Sequence, residues 1–229
     1  MIKEAMILAA GFGKRLNPLT LSCPKPLLSI GENTLLSNTL NFLEKIRVTK
    51  VVINTHYLQE QIAEYLDKKK FDLDITIIHE KDKILDTGGG ILNVLKYFDD
   101  SFICINPDTI WNINYVKEFK QMENSFNNGP KKCHLLIVDK SKSFDKNLKG
   151  DFNLKDGLIS RNKNESLEYI FTGLQIINPE IFSNMSDEVF SINKVWDKLI
   201  KRKELFALES KEKFLHISTL DIYNKLYIK

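Results

Sequence analysis

Two glycines and two cations follow a short apolar segment near the N-terminus of this 229-residue chain. Gly11 and Gly13 come directly after residues 5–9, so the backbone can turn sharply there and expose its N–H groups to an anion. Arg15 adds a planar guanidinium that can hold two phosphate oxygens, and Lys25 adds a point charge between two prolines. These residue types and their spacing predict a phosphate-binding loop.

The same stretch fits two other glycine-rich loops less well. The dinucleotide-binding fingerprint needs a third glycine where this chain has Leu16. It also needs an acidic residue about 20 positions further on, where Glu32 lies in a turn-like segment. The Walker phosphate loop needs a Gly-Lys-Ser/Thr sequence, which does not follow Gly13. Glycine spacing alone leaves the kind of nucleotide site open.

A carboxylate and a second glycine cluster follow later strand-like segments. Asp108 comes shortly after the apolar residues 102–105, where it suits either a Mg²⁺ ligand or the cap of a turn or helix. The sequence DTGGG at residues 86–90 suits either a close approach of the backbone to a ligand or a flexible turn. Residue types leave both alternatives open.

The stretch GFGKRLNPLT at residues 11–20, continued by PKPL at residues 24–27, resembles the signature of the sugar-phosphate nucleotidyltransferases. The chain length and the DTGGG segment bring it nearest to the short N-acetylmuramate 1-phosphate uridylyltransferases. This resemblance implies transfer of a nucleotidyl group from a nucleoside triphosphate, UTP first, to N-acetylmuramate 1-phosphate or a hexose 1-phosphate, with release of pyrophosphate. Guanylyl, thymidylyl or cytidylyl transfer stays open.

The resemblance also implies roles for individual residues. The expected catalytic residues are Arg15, Lys25 and Asp108. The expected nucleotide-binding residues are Ala9, Ala10, Gly11, Gly13, Glu80, Gly88 and Gly89, and the expected sugar-binding residues are Asn106, Thr172 and Gly173. A phosphate monoester is mostly dianionic at neutral pH, so this reaction needs positioning and neutralising cations rather than a general base. Mg²⁺ is the expected cofactor, with Mn²⁺ as the alternative.

One C-terminal segment departs from the family pattern. Relatives carry a second metal carboxylate in a segment such as VDVGT, whereas residues 215–219 read LHIST, with His216 and Ser218 at the changed positions. Pro107, next to Asp108, replaces a small residue. His216 is therefore a candidate metal ligand of an unusual type, since imidazole suits Mg²⁺ poorly. A nucleotide-binding regulatory relative with weakened catalysis is the second interpretation.

Composition argues against several partners. With 33 basic and 30 acidic residues the net charge is only +3, which is not typical of a nucleic-acid-binding surface. No stretch approaches the roughly 18 apolar residues of a membrane span. The three cysteines are widely spaced and indicate neither a disulfide framework nor a structural zinc site. We expect a cytoplasmic monomer or homodimer that makes nucleotide sugars for cell wall or surface polysaccharide.

Apolar strand-like segments alternate with segments of helical periodicity, which predicts βαβ units. With the resemblance, this predicts a Rossmann-like, three-layer α/β fold with a mostly parallel mixed sheet. A small C-terminal sugar-side region is expected, and residues 1–229 are expected to form one domain. The predicted site residues follow strands, where open sheets bind ligands. A helix is predicted after Gly90, and residues 139–155, rich in charged and small polar types, are predicted to be an exposed loop.

Overall fold

The structure of the protein, a computed structural model, describes residues 1–80, 82–130, 132–162, 164–186 and 188–227. Within these residues the strands are β1 (Glu4–Ala9), β2 (Ser29–Ile30), β3 (Asn33–Thr34), β4 (Lys50–Thr55), β5 (Asp74–His79), β6 (Phe102–Ile105), β7 (Cys133–Asp139), β8 (Asn153–Lys155), β9 (Leu158–Ser160), β10 (Tyr169–Ile177) and β11 (Leu205–Ser210). The helices are α1 (Leu35–Lys45), α2 (Gln59–Lys68), α3 (Asp86–Val94), α4 (Tyr115–Asn128), α5 (Asn193–Arg202) and α6 (Leu220–Tyr227). In this part of the chain the main sheet has the order β5-β4-β1-β6-β10-β7-β11-β9-β8.

One half of the sheet is parallel and contains the predicted βαβ units. β1 pairs in parallel with β4 and β6, and β4 pairs in parallel with β5. Since α1, α2 and α3 lie between these strands in the chain, the carboxyl ends of the strands meet at one edge of the sheet. The segments that follow β1, β5 and β6 therefore lie close together, as the positions of the motifs predict.

Helices cover both faces of the sheet and complete three layers. Because side chains alternate along a strand, Ile7 of β1 packs in one buried cluster with Phe119 of α4. Met6 packs on the opposite face with Trp196 of α5. The predicted three-layer α/β fold is confirmed. None of the helices in the described residues has the length and apolar character needed to cross a membrane.

The other half of the sheet is mostly antiparallel. β10 lies between β6 and β7 and runs antiparallel to both. β8 and β9 form a hairpin whose turn residues, Asp156 and Gly157, both have positive φ angles of 52° and 78°. This is the geometry of a tight hairpin turn, which the Asp-Gly pair favours. The sheet is therefore mixed, with its parallel part at the predicted nucleotide side.

The start of α3 differs from the prediction. The helix begins at Asp86, so the three glycines at residues 88–90 lie inside it rather than before it. The N–H groups of Gly88 and Gly89 both donate to the carbonyl oxygen of Phe190, and a Cβ at Gly88 would overlap the Phe190 ring. These glycines allow close packing on the Phe190 segment, a tertiary requirement that helix propensity does not reveal.

The prediction that residues 139–155 form an exposed loop is wrong in part. Ser143 and Asp145 are buried, and residues 153–155 form β8. Ser143 forms a β-bridge with Phe214, and the N–H of Phe144 donates to the Phe214 carbonyl oxygen. This segment packs against the C-terminal segment that carries His216 and Ser218. Its polar composition reflects buried hydrogen bonds as well as solvent exposure.

Candidate active site

The predicted phosphate loop connects β1 to three single turns of 3-10 helix. Gly13 has a φ of +65°, and a Cβ there would come within 3.0 Å of the Thr20 side chain. The Thr20 hydroxyl donates to the Gly13 carbonyl oxygen, and the Tyr57 hydroxyl donates to the Thr20 carbonyl oxygen. Gly11 has open space around it. Hydrogen bonds through Thr20 and Tyr57 therefore hold the loop in place, and the backbone at Gly11 stays accessible.

A cleft of about 480 Å³ lies over the carboxyl ends of the parallel strands. The predicted site residues that line it are Ala9, Ala10, Gly11, Gly13, Arg15, Lys25, Glu80, Asn106 and Asp108. These residues come from the segments after β1, β5 and β6 and from the turn around Lys25. The fold thus brings the predicted phosphate loop, cations and carboxylate into one cleft.

Four predicted nucleotide- or sugar-binding residues do not line this cleft, and neither does the candidate metal ligand His216. The N–H groups of Gly88 and Gly89 both donate to the Phe190 carbonyl oxygen. The buried Thr172 hydroxyl donates to the Leu136 carbonyl oxygen. Gly173 has a φ of +94°, and a Cβ there would lie 3.0 Å from the Asn106 Cβ. Gly173 therefore supports Asn106 from behind, and the direct contacts of these four residues with substrate stay predictions.

Asp108 is the centre of charge in the cleft. Its Oδ2 atom lies 2.6 Å from Lys25 Nζ and 3.1 Å from His216 Nε2. His216 reaches this position because it forms a β-bridge with Thr109, while the N–H of Ile217 donates to the Asp108 carbonyl oxygen. Burial alone would raise the pKa of Asp108, but the charges of Lys25 and His216 outweigh burial and hold that pKa well below its usual range. Asp108 is therefore a carboxylate at neutral pH.

The Asp108 carboxylate has one oxygen available for a cation. Oδ1 is buried and has no hydrogen-bond partner among the described residues. A hard divalent ion commonly takes one or two carboxylates and completes its shell with substrate phosphates and water. The described residues contain no group of three or more potential metal-ligating side chains. The site fits a cation shared with bound phosphates better than one held by protein ligands alone, and His216 uses its Nε2 atom on Asp108.

Asn54 and Ile84 line the cleft outside every predicted motif, whereas Phe12, Lys14, Asp86, Thr87 and Ser218 lie in segments that the sequence singled out but had no predicted role of their own. Asn54 lies near the carboxyl end of β4, so the strand-end rule could have indicated it. Asp86 has a positive φ of 59°, which is unusual outside glycine and typical of functional turns, but only coordinates reveal it. Ser218 departs from the pattern of the family signature, and the sequence does not indicate its partner. In the fold its hydroxyl donates to the buried Asp145 carboxylate.

Fold and site together define an α/β protein whose glycine loop, cations and carboxylate share one cleft at the carboxyl edge of its sheet. The chain belongs to the nucleotidyl transferase family, whose model matches residues 4–144. It is 27% identical to an N-acetylmuramate alpha-1-phosphate uridylyltransferase of Caulobacter vibrioides, over 94% of this chain and 91% of that protein. It is 32% identical to the enzyme of the same name from Neisseria meningitidis serogroup B, over 80% of this chain and 78% of that protein.

A solved structure supports the fold. The inositol-1-phosphate CTP transferase of T. maritima superimposes with a TM-score of 0.81, covering all of this chain and 96% of that one at 17% identity. The resemblance inferred from the phosphate-loop signature is therefore confirmed at the level of family and fold.

Proposed function

We propose that this protein transfers a nucleotidyl group from a nucleoside triphosphate, UTP first, to a sugar 1-phosphate, forming a nucleotide sugar and releasing pyrophosphate. The observation that carries the proposal is the single cleft in which the glycine loop and Arg15 lie with the Lys25–Asp108 pair. The two similar uridylyltransferases support UTP and N-acetylmuramate 1-phosphate as the first substrates to test. A hexose 1-phosphate is the other acceptor class.

The chain's own residues account for the main obstacle, which is repulsion between two anions. An oxygen of the sugar 1-phosphate attacks the α-phosphorus, the bond to the β-phosphate breaks, and pyrophosphate leaves with the electron pair. Backbone N–H groups at Gly11 and Gly13, with Arg15, hold the triphosphate, and Lys25 lies where both reacting phosphates must approach Asp108. The monoester is mostly dianionic near neutral pH, so no residue has to remove a proton.

Asp108 Oδ1 is the atom that would hold Mg²⁺, with Mn²⁺ as the alternative ion. When bound there, the ion neutralises charge on the substrate phosphates. His216 lies against the other oxygen of Asp108 and keeps the carboxylate oriented. Its Nε2 atom is the donor to the Asp108 carboxylate, so we place it as an orienting residue rather than the principal metal ligand.

The test is a matrix of pyrophosphate-release assays. UTP, GTP, CTP and dTTP are each paired with N-acetylmuramate 1-phosphate, glucose 1-phosphate and mannose 1-phosphate, with and without Mg²⁺. We expect release that needs both substrates and the ion, and loss of at least about 100-fold in kcat in the Asp108→Asn variant. The matched control is Asp67→Asn, an exposed carboxylate on α2, which should keep full activity.

Absence of turnover with every pairing, while UTP still binds, would favour the regulatory interpretation instead. We also propose that the protein works in the cytoplasm as a monomer or homodimer and supplies cell wall or surface polysaccharide synthesis. The three free thiols fit a reducing compartment, and the N-acetylmuramate 1-phosphate named for the two similar enzymes fits polysaccharide synthesis. Light scattering after size exclusion distinguishes monomer from dimer.

A further inference from the structure

The cleft has two chemically different sides. Asp108 and Lys25 lie on the β6 side of β1, and Asn54 and Glu80 lie on the other side, at the ends of β4 and β5. The lining next to Asn54 is apolar or uncharged apart from Glu80 and the exposed Asp86, and the described residues around it include Leu8, Ala9 and Ile84. A phosphate would be repelled by the Glu80 carboxylate, whereas a flat, uncharged base would not. The base end of the nucleotide therefore belongs at the Asn54 side.

Asn54 connects two walls of that side through both ends of its side-chain amide. Its Oδ1 atom accepts from the N–H of Ala9 at 3.0 Å, and its Nδ2 atom donates to Glu80 Oε1 at 2.6 Å. Asn54 is 2% exposed and Glu80 is 3% exposed. Buried hydrogen bonds of this kind fix geometry, because breaking one leaves a polar group without a partner.

Glu80 extends the connection to the turn that begins α3. Its Oε2 atom accepts from the N–H of Leu85 at 2.9 Å, so both carboxylate oxygens are used within the protein. Gly90 lies directly beneath the pair: a Cβ there would be 2.8 Å from Asn54 Nδ2 and 2.9 Å from Glu80 Oε1. The ends of β1, β4 and β5 and the start of α3 are therefore connected by hydrogen bonds, and there is no room for a side chain at Gly90.

We propose that Asn54 is the positioning residue for base selectivity. Through Glu80 it sets the distance between the Ala9 backbone on one wall and the turn at residues 84–86 on the other, and that distance decides which base fits. The inference rests on the proposed function for its substrate class, but it concerns binding of the base and not the transfer step. It predicts that changes at Asn54 alter discrimination between nucleotides without weakening phosphate binding.

Two variants test this by different routes. Asn54→Asp keeps the size of the side chain and the acceptor for Ala9 but replaces the donor facing Glu80 with an oxygen. Gly90→Ala removes no hydrogen-bonding group, and its added Cβ would overlap Asn54 Nδ2 and Glu80 Oε1 and displace the pair. Calorimetric titrations measure the Kd of UTP, GTP and inorganic tripolyphosphate for each folded protein. We expect the Kd ratio of UTP and GTP to move toward one by about tenfold or more, with the tripolyphosphate Kd unchanged.

The matched control removes a comparable buried hydrogen bond elsewhere. The Ser210 hydroxyl donates to Glu118 Oε2 at 2.6 Å, and neither residue lines the cleft. Ser210→Ala should lower the Tm and leave all three Kd values unchanged. An unchanged UTP to GTP ratio in folded Asn54→Asp, or in Gly90→Ala if the former does not fold, overturns the proposal. Equal losses for UTP and tripolyphosphate also overturn it.

These outcomes are separate from the test of the proposed function. If the wild-type protein releases no pyrophosphate but its binding ratio responds to Asn54 as stated, the transfer activity is wrong and the role of Asn54 stands. If turnover is normal and the Kd ratio does not respond to the variants, the proposed transfer activity stands and the proposed role of Asn54 is wrong.

Discussion

At the scale of single residues, His216 is the main departure from the family pattern. Its Nε2 atom lies 3.1 Å from Asp108 Oδ2, so the His216 side chain contacts the candidate metal ligand directly. We predict that His216→Asp tightens divalent-ion binding by about tenfold or more, because a second carboxylate adds a hard, charged oxygen beside Asp108. Electron paramagnetic resonance titration of Mn²⁺ in the presence of UTP measures the change.

The charge of Lys25 affects the same experiment, which therefore needs a control variant that does not change the charge. It neutralises one carboxylate in the wild-type site, and two carboxylates without an ion would repel each other. His216→Asn removes the imidazole without adding charge and should not tighten Mn²⁺ binding. Unchanged or weaker ion binding in His216→Asp would show that residue 216 does not reach the ion.

Motifs and strand ends predicted the phosphate loop and the charged residues of this site but not the buried polar contacts behind them. Arg15, Lys25 and Asp108 belong to a motif or follow a strand, so their position in the fold could be anticipated. The partners of Asn54 and Thr172 depend on which distant backbone groups the fold brings near them. A polar side chain in sequence does not show whether it faces a ligand or satisfies a buried backbone group.

At the scale of structural elements, residues 142–145 support the segment that carries His216. Asp145 is 5% exposed and Ser218 is 1% exposed, and the Ser218 hydroxyl donates to Asp145 Oδ2 at 2.6 Å. Asp145 Oδ1 also accepts from the N–H of Asn147. Ser218 therefore connects the active-site segment to residues 142–145.

A double-mutant cycle tests that connection. Ser218→Ala should destabilise the protein by about 1–3 kcal/mol, because it leaves a buried carboxylate oxygen without its donor. The same substitution should cost less in the Asp145→Asn background, where the side chain carries no charge. Urea unfolding of the wild-type protein, both single variants and the double variant measures the coupling. Simple additivity of the two changes would mean that the bond contributes nothing specific to stability.

The helices show which elements sequence periodicity can predict. Leu36, Leu40 and Leu43 recur at helical spacing and are all buried in α1. The start of α3 was missed because glycines usually mark turns. There they are needed for contact with Phe190, a residue about a hundred positions away in the sequence.

At the scale of the whole molecule, the order of strands could be predicted only for the parallel half. Strands linked by a helix usually run parallel in one sheet, so the direction of β1, β4, β5 and β6 follows from the alternation of patterns, although β5 and β6, which α3 links, lie three positions apart in the sheet. The position of β10 between β6 and β7 joins residues far apart in the chain. No nearby sequence pattern specifies the pairing of β10 with β6 and β7, because it depends on contacts between segments far apart in the chain.

Close packing of that second half buries a histidine inside the sheet. His134 of β7 is 2% exposed and lies between the rings of Phe126 and Phe206. Burial disfavours its charged form and lowers the pKa of His134 from 6.5 to about 4, against a smaller opposing effect of a backbone hydrogen bond. The unfolded chain therefore binds a proton between these two pH values that the folded chain does not bind.

This difference makes the stability of the whole molecule depend on pH in a defined direction. The contribution of neutral His134 is complete above pH 6.5 and is lost as the pH falls toward about 4. Between about pH 7 and about pH 5 the loss should be about 2 kcal/mol. His134→Phe keeps an aromatic ring between its two neighbours and should remove this part of the pH dependence.

Urea unfolding at both pH values measures the free energy of unfolding. The control is His79→Asn at an exposed position, which should keep the wild-type dependence of that free energy on pH. If His134→Phe and wild type lose the same free energy on acidification, the buried histidine is not the group responsible.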